Sequence, residues 1–491
     1  MKSIVLSVIM VVSVLAQTNY TTPPAGYTTR INSLEEPAAS EGCSTLNKPL
    51  TSVNWYGGIK CLTATTPSVI TKGTTYKDLT FGGVFKAITS AGQNFTHQYS
   101  AYHPLDASNC YVSGDDNSFA AVVNVCNNNT VIRLNDANYK NVLWDTQVGG
   151  QFYYINSTHT QLRKGNVDGT NSLIYDFPAN GKMATIENGG SSQCSKDMWC
   201  SFWSTSDKQL CAIDILNVQV YCATYNASPA IDHSVYSTLD YTMTSNDSPS
   251  GRYVALMANP AMGLFKVNTT THALDFVTRG PQLTSDRGFG VHGNDDGFCD
   301  ASLGEPCFAA PHSGMLQARN GESYIITTFD GGGGPRCDRV LVAMKLSDGP
   351  NMVHNMVELF NVGYCSSSFG WPDSWYGCSE TQPTCVISTL SSTTGNIDHG
   401  PWENQLIYMR DFDGTNATFT RIAGTHALAN FGCGDDNHAE PRAGISMDGK
   451  YIITDANLYQ TCAGKEQVFM IAIPGVGRTV MGGRTSRRHS R

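Results

Sequence analysis

The sequence predicts an all-β fold, and three observations support this prediction: the composition, a repeated unit, and a single strand that precedes the first copy of that unit. The 491 residues include 47 Gly, 22 Tyr and 19 Phe, and only 15% of the residues are charged. Few charges together with much glycine and aromatic residue are typical of turn-rich β proteins. No helical period of useful length interrupts the pattern.

The repeated unit has a polar or aromatic leading residue, a turn with Asp, Ser or Gly, a strand, and two further strands around a tight turn. The clearest copy begins at His438, turns at Ser446-Met-Asp-Gly449 and continues through Tyr451 and the segment 468–473. The six other copies begin at His97, Trp144, Glu187, Asp240, His312 and Trp371. One small sheet per repeat, seven times over, predicts a seven-bladed β-propeller.

A predicted strand at 82–89 stands before the first copy, whereas the seventh copy ends after its third strand at Ile473. We expect this N-terminal strand to complete the last blade and close the ring, because closure hides strand edges that an open sheet exposes. A tandem of β-sandwiches is the alternative, but it does not predict the repeated phase. The expected domains are a signal peptide at 1–16, a disulfide-stapled N-terminal extension at 17–79, the propeller at 80–475 and a basic disordered tail at 476–491.

The first residues predict export. Lys2 precedes an apolar run at 4–15, and Ala16 supplies a small residue for cleavage. This is the pattern of a secretory signal peptide, so we expect a secreted, extracellular protein. No later segment has the roughly 18 apolar residues that a membrane span needs, so no transmembrane segment is expected.

Sixteen cysteines agree with export, because disulfides persist in oxidising compartments. Metal thiolates are the weaker alternative, since no CxxC pair occurs. Sequence alone does not fix connectivity. Pairing of near neighbours joins Cys43 with Cys61, Cys110 with Cys126, Cys194 with Cys200, Cys211 with Cys222, Cys299 with Cys307, Cys337 with Cys365, Cys378 with Cys385, and Cys433 with Cys462.

Eight Asn-x-Ser/Thr sequons predict N-glycosylation in a eukaryotic host. They lie at Asn19, Asn94, Asn128, Asn156, Asn226, Asn246, Asn268 and Asn416.

The net charge of −9 argues against a nucleic-acid partner, because phosphate binding needs clustered Lys and Arg. The one basic cluster lies at 484–491 and is interpreted as a solvated tail. The expected partner is therefore a glycan or an extracellular protein, and the low charge also permits self-association.

Leading residues of inner propeller strands face one mouth of the channel, where long loops gather. We therefore expect a substrate-binding set there, formed by Trp144, Glu187, Asp240 and Trp371. Imidazole and carboxylate groups suit Zn or Mn, and the cluster Asp295-Asp-Gly-Phe-Cys-Asp300 suits Ca. The alternative for each histidine is structural, because an inner-strand His can bond to the neighbouring blade and lock the ring.

The turns Ser248-Pro-Ser-Gly251 and Ser446-Met-Asp-Gly449, each followed by Tyr and an aliphatic strand, resemble the repeats of TolB-like propellers. The run from His438 to Gly449 is similar to the last-blade motif of oligogalacturonate-lyase-like proteins, and the resemblance covers about residues 80–475. In this chain His438 stands alone between Asn437 and Ala439, whereas those lyases gather several His and a Gln in this segment.

This resemblance implies polysaccharide lyase chemistry, in which a divalent metal neutralises a uronate carboxylate and a base removes the adjacent proton. It implies that His312 and His438 bind the metal, that Arg442 or Arg287 binds the carboxylate, and that His97 assists catalysis. Two functions stay open. One is a secreted glycoprotein that binds or processes extracellular polysaccharide at the channel mouth. The other is a non-catalytic extracellular structural or adhesion protein that self-assembles or binds a protein partner.

Overall fold

A computed structural model describes five stretches of the chain together with the backbone of further strands. The stretches are 69–176 without 78–82, 94, 98–102, 117–118, 135–141 and 157–160; 307–361 without 331–338 and 352–354; 373–424 without 380 and 391–404; 441–456; and 467–473. The strand at 34–35 and the strands between 201 and 279 are described by their backbone and pairing. The predicted signal peptide, most of the N-terminal extension and the basic tail lie outside the described residues.

The described strands, numbered in chain order, fall into seven sheets. Three strands come first: β1 (Leu34–Glu35), β2 (Thr75–Lys77) and β3 (Val84–Ala87). Sheet 1 contains β4 (Phe95–His97), β5 (Tyr111–Asp116), β6 (Phe119–Asn124) and β7 (Thr130–Arg133). Sheet 2 contains β8 (Leu143–Trp144), β9 (Gln151–Ile155), β10 (Gln161–Asn166) and β11 (Asn171–Asp176). Sheet 3 contains β12 (Ser201–Ser204), β13 (Gln209–Asp214), β14 (Gln219–Thr224) and β15 (Ile231–Val235).

Sheet 4 contains β16 (Asp240–Asp247), β17 (Tyr253–Asn259), β18 (Met262–Val267) and β19 (Leu274–Arg279). Sheet 5 contains β20 (Cys307–Gln317), β21 (Ser323–Asp330), β22 (Arg339–Lys345) and β23 (Val357–Asn361), with a 3₁₀ helix at Leu346–Asn351. Sheet 6 contains β24 (Asp373–Cys378), β25 (Cys385–Leu390), β26 (Gln405–Arg410) and β27 (Thr418–Gly424). Sheet 7 contains β28 (Gly444–Ile445), β29 (Tyr451–Ala456) and β30 (Gln467–Ala472), together with β3 and β2.

Sheets 1 to 6 pair their four strands in chain order, each antiparallel to the next. Sheet 7 differs, because it combines the last three strands of the chain with two strands from the N-terminal side. Strand β3 pairs antiparallel with β30, with Phe85 opposite Ile471, and β2 pairs with β3. The strand predicted at 82–89 is therefore present and joins the sheet of the seventh repeat. Strand β1 adds in parallel to β27 at the edge of sheet 6.

Apolar side chains of consecutive sheets pack face to face, which is how the blades of a propeller bury their surfaces. Described clusters of this kind lie between sheets 5 and 6, 6 and 7, 7 and 1, and 1 and 2. One buried pair from each cluster is Ile326 and Tyr376, Val386 and Ile452, Val112 and Ile453, and Val122 and Trp144. The prediction of an all-β fold is confirmed.

The two ends of the sheets differ in the connections they carry. We call the end at which each first strand begins the mouth end, and the opposite end the turn end. Because the strands alternate in direction, connections between consecutive sheets and between second and third strands start and finish at the mouth end. From β3 onward, the four longest connections, 177–200, 280–306, 391–404 and 425–443, belong to this group. Among the described residues, none of the helices has the length and hydropathy of a membrane span.

Candidate functional site

A buried contact between a histidine and a carboxylate joins sheet 7 to sheet 1 near the mouth end. His97 ends β4, and its Nε2 lies 3.5 Å from Oδ2 of Asp455 in β29. The side chains are 0% and 4% exposed. Gly114 lies opposite His97 in β5, where a Cβ would collide with the Thr96 carbonyl and the Phe95 ring. The close packing of β5 against β4 fixes the backbone at His97. The contact between His97 and Asp455 then joins the first sheet to the last.

Arg442 also lies at the mouth end of sheet 7, two residues before β28, and is 6% exposed. Thr454 Oγ1 donates to the Pro441 carbonyl over 3.0 Å, and the Ala443 N–H donates to Ser388 Oγ over 3.0 Å. These bonds hold the backbone on both sides of Arg442, one to β29 and the other to β25. Arg442 and Asp455 therefore lie at the mouth end of the same strand pair.

A side-chain amide fixes the N-terminal segment to the last strand. Gln467 begins β30 and is buried. Its Nε2 donates to the carbonyls of Ile70 and Thr89 over 2.7 and 3.1 Å, and its Oε1 accepts from the Ile70 N–H over 3.0 Å. The Val468 N–H donates to Thr89 Oγ1 over 2.8 Å. These contacts secure the chain on both sides of the β2–β3 hairpin.

Sequence reasoning missed Asp455, Gln467 and Thr89. The available signal was a carboxylate and an amide at the ends of strongly apolar strands, because buried polar groups need hydrogen-bonding partners. That signal shows that a partner exists but does not identify it.

Trp144, predicted to bind substrate, lies in the interface between sheets 1 and 2 and is 1% exposed. Its Nε1 donates to Ser113 Oγ over 3.0 Å and to the Pro104 carbonyl over 3.3 Å. Its ring packs edge-on against Phe152, with 5.8 Å between ring centroids. Both the polar and the apolar parts of the indole are thus used in joining the two sheets.

Carboxylates at the turn end serve local backbone groups. Asp106 accepts from the N–H groups of Cys110, Tyr111 and Gly150 over 2.8 to 2.9 Å. Asp413 accepts from the N–H groups of Thr415 and Asn416 over 2.8 and 2.7 Å. Hydrogen bonds from the Asn416 and Thr415 backbone lower the pKa of Asp413, because they favour the ionised carboxylate.

Asp448 belongs to the predicted Ser446–Gly449 turn. Burial acts to raise its pKa, but hydrogen bonds from Lys450, Ser446 and Asn109 outweigh burial, and the net pKa is lowered. The Asn109 bond, of 3.0 Å, comes from sheet 1. The turn therefore also contributes to the contact between sheets 7 and 1.

The remaining predicted site residues are described only partly. Asp240 is the first residue of β16, and His312 lies within β20 at an irregularity in the register between Phe308 and Ser313. Both positions are known from the backbone alone. Glu187, Arg287, Trp371 and His438 lie outside the described residues. Within the described part of the chain, no three His, Cys, Asp or Glu side chains are placed to hold a metal ion.

Two predicted disulfides are present, Cys110–Cys126 and Cys378–Cys385, and they fit an extracellular setting. A third predicted pair is described by its backbone, which places Cys211 in β13 directly opposite Cys222 in β14. The other five predicted pairings stay predictions, because the side chains of their cysteines lie outside the described set. These cysteines are Cys43, Cys61, Cys194, Cys200, Cys299, Cys307, Cys337, Cys365, Cys433 and Cys462.

Three sequon asparagines have described side chains near the ends of the sheets. Asn128 and Asn416 are exposed, whereas Asn156 is buried. The three predicted sites therefore differ in how accessible they are.

No family model and no curated protein matches this sequence. Solved structures do match. An oligogalacturonate lyase from Vibrio parahaemolyticus is 11% identical, with 82% of this chain and 97% of that chain covered and a TM-score of 0.51. An oligogalacturonate lyase in complex with manganese is 12% identical, with 83% and 99% covered and a TM-score of 0.49.

A catalytically inactive virginiamycin B lyase from Staphylococcus aureus is 8% identical, with 79% of this chain and 99% of that chain covered and a TM-score of 0.42. At these identities the comparison shows the fold alone. The predicted resemblance to oligogalacturonate-lyase-like propellers is confirmed at the level of the fold.

Proposed function

We propose that this chain is a secreted seven-bladed β-propeller, closed by β3, that binds an acidic extracellular polysaccharide at its mouth end. The observation that carries the proposal is the difference between the two ends: from β3 onward, the four longest connections all belong to the mouth end. Binding residues are concentrated on loops that a rigid scaffold positions. The predicted residues Glu187, Arg287 and His438 fall in three of these connections, and Trp371 falls in the shorter mouth-end connection 362–372.

An acidic sugar is the first ligand class to test. The net charge is −9, so general electrostatic attraction does not favour a polyanion, and recognition must come from individual cations. An arginine guanidinium binds a carboxylate through two parallel hydrogen bonds, a role that suits Arg287. Aromatic faces such as that of Trp371 stack on sugar rings. The shared fold with oligogalacturonate lyases supports this choice of ligand class.

We propose binding ahead of catalysis because of the position of His97, the residue expected to assist catalysis. A general base must reach the proton that it removes, but the imidazole of His97 has no exposed surface and faces Asp455. We propose that His97 stabilises the contact between sheets 7 and 1. Metal binding by His312 and His438 remains a prediction, and the described side chains do not supply a third ligand.

The test uses the full chain, purified after secretion from eukaryotic cells. A glycan array followed by titration calorimetry should show binding to uronate oligosaccharides, with no unsaturated product detected by absorbance. Arg287→Ala should weaken binding by about tenfold, which corresponds to about 1.4 kcal/mol. Arg319→Ala is the matched control, because Arg319 lies at the turn end beside Asp411 and is 60% exposed.

Equal affinities of the two variants, or no uronate binding at all, would overturn the proposal. Formation of unsaturated product, lost on metal removal and in His312→Ala and His438→Ala, would instead establish a lyase. Ordered polymers without glycan binding would support the structural alternative.

A further inference from the structure

One of the sequon asparagines lies at the tip of a tight hairpin at the turn end of sheet 1. Asn128 and Asn129 have φ values of 52° and 51°, and the Thr130 N–H donates to the Asn127 carbonyl over 3.3 Å. Positive φ at both central residues is the geometry of a two-residue hairpin turn, which asparagine tolerates well. Asn128 and Thr130 are both exposed.

This hairpin is fixed to the turn end by covalent and hydrogen bonds. The Cys110–Cys126 disulfide joins the β6–β7 connection to the β4–β5 connection, and the Val125 N–H donates to the Cys110 carbonyl over 2.8 Å. The Asn128 side chain is thus held on the surface opposite the mouth end.

A second sequon asparagine occupies the corresponding connection of sheet 6. Asn416 lies between β26 and β27 and is exposed, with its Nδ2 donating to Thr415 Oγ1 over 2.9 Å. The Phe412 N–H donates to the Pro383 carbonyl over 3.2 Å, which ties this connection to the one between β24 and β25. Asn128 and Asn416 therefore both lie between the third and fourth strands of their sheets, at the turn end.

Asn156 provides the contrast. It follows β9 at the mouth end and is 8% exposed. Its Oδ1 accepts from the Gln161 N–H over 3.0 Å, and its Nδ2 lies 3.5 Å from Gln161 Oε1. A glycan on this Nδ2 would have to displace the Gln161 side chain and open this closure of the β9–β10 hairpin. The fold therefore disfavours modification at Asn156.

We propose that N-linked glycans occupy Asn128 and Asn416 and that Asn156 is unmodified, so that carbohydrate covers the turn end of sheets 1 and 6. This proposal concerns the face opposite the proposed binding surface and goes beyond it.

The donor is a lipid-pyrophosphate-linked oligosaccharide. The Asn Nδ2 attacks the first sugar carbon, the N–C bond forms, and the bond from that carbon to the pyrophosphate oxygen breaks. The amide proton leaves to a base of the transferase, and the lipid pyrophosphate is released. The protein contributes the acceptor asparagine and the Thr two residues later.

The test is site-resolved occupancy in the full chain secreted from eukaryotic cells. Enzymatic removal of the glycans in oxygen-18 water converts each occupied asparagine to labelled aspartate, which peptide mass spectrometry detects. We expect label at Asn128 and Asn416 and none at Asn156. Thr130→Ala and Thr418→Ala should each remove one glycan, whereas Thr130→Ser and Thr418→Ser keep the sequon and should keep the glycan.

Label at Asn156, or absence of label at both Asn128 and Asn416, would overturn the proposal. Because occupancy is measured without any polysaccharide ligand, this result is independent of the uronate-binding test.

Discussion

The mouth end and the turn end of this propeller satisfy their polar groups in different ways. At the turn end, Asp106 and Asp413 accept mainly from backbone N–H groups within five residues. Near the mouth end, Gln467 bonds to Ile70, 397 positions away, and His97 pairs with Asp455 across the contact between the first and last sheets. Most hydrogen bonds to these two turn-end carboxylates can therefore form within one sheet, although the Asn109 bond to Asp448 links sheets 1 and 7 there. The Gln467 and His97 contacts, by contrast, require the two ends of the chain to come together.

The largest effect that we expect comes from breaking the buried contact between His97 and Asp455. Asp455→Ala leaves the His97 imidazole buried without its carboxylate, and depriving a buried polar group of its partner costs about 1–3 kcal/mol. Replacing both residues, His97→Leu together with Asp455→Leu, should recover most of this loss, because exchanging both partners for apolar groups leaves no polar group unsatisfied. Chemical denaturation of the two variants measures the difference. If Asp455→Ala costs less than about 1 kcal/mol, the pair does not lock the sheets.

A smaller effect on stability is expected at Trp144, where a substitution tests whether the side chain serves packing or ligand binding. Trp144→Phe removes the N–H that serves Ser113 Oγ and the Pro104 carbonyl. The Pro104 carbonyl keeps the Ser113 N–H as a donor over 2.8 Å, so the loss should be that of an ordinary hydrogen bond, about 0.5–1.5 kcal/mol. Uronate affinity should not change, because the side chain is enclosed between sheets 1 and 2. Thermal unfolding and titration calorimetry on the same variant separate the two effects. A loss of affinity with unchanged stability would restore the predicted substrate-binding role.

The smallest effect concerns pH and the turn end. The pKa of Asp413 is lowered in the folded protein, so its contribution to stability is present above the unfolded pKa, near 3.9, and is lost as the pH falls through the lower folded value. The contribution should stay below about 1 kcal/mol, because the side chain is exposed. Asp413→Ser keeps an oxygen that can accept from the Thr415 and Asn416 N–H groups but does not titrate, and it creates no new sequon. The unfolding free energy of this variant should fall less than that of the wild-type protein between about pH 6 and pH 3, the range in which carboxylates titrate. If the unfolding free energies of the two proteins fall equally as the pH is lowered, this assignment is wrong.

Local sequence patterns determined a large part of the fold. The alternation of apolar residues and the turn residues around Gly169, Gly321 and Gly449 identify strands and their hairpins, because side chains on a strand alternate between its two faces. The short spacings within the pairs Cys110–Cys126 and Cys378–Cys385 suited bridges inside one sheet, and both bridges are present. The strand at 82–89 was also predictable, since the seventh repeat lacks one strand.

Only the tertiary structure decided that the leading residues His97 and Trp144 are buried. His97 and Trp144 occupy equivalent positions in the repeat, yet one pairs with Asp455 and the other fills an apolar interface. The exposed Asn128 and the buried Asn156 likewise belong to the same type of sequence motif. Periodicity specifies which face of a strand a side chain is on, but burial and partners depend on the neighbouring sheet, which is supplied by residues far away in the chain.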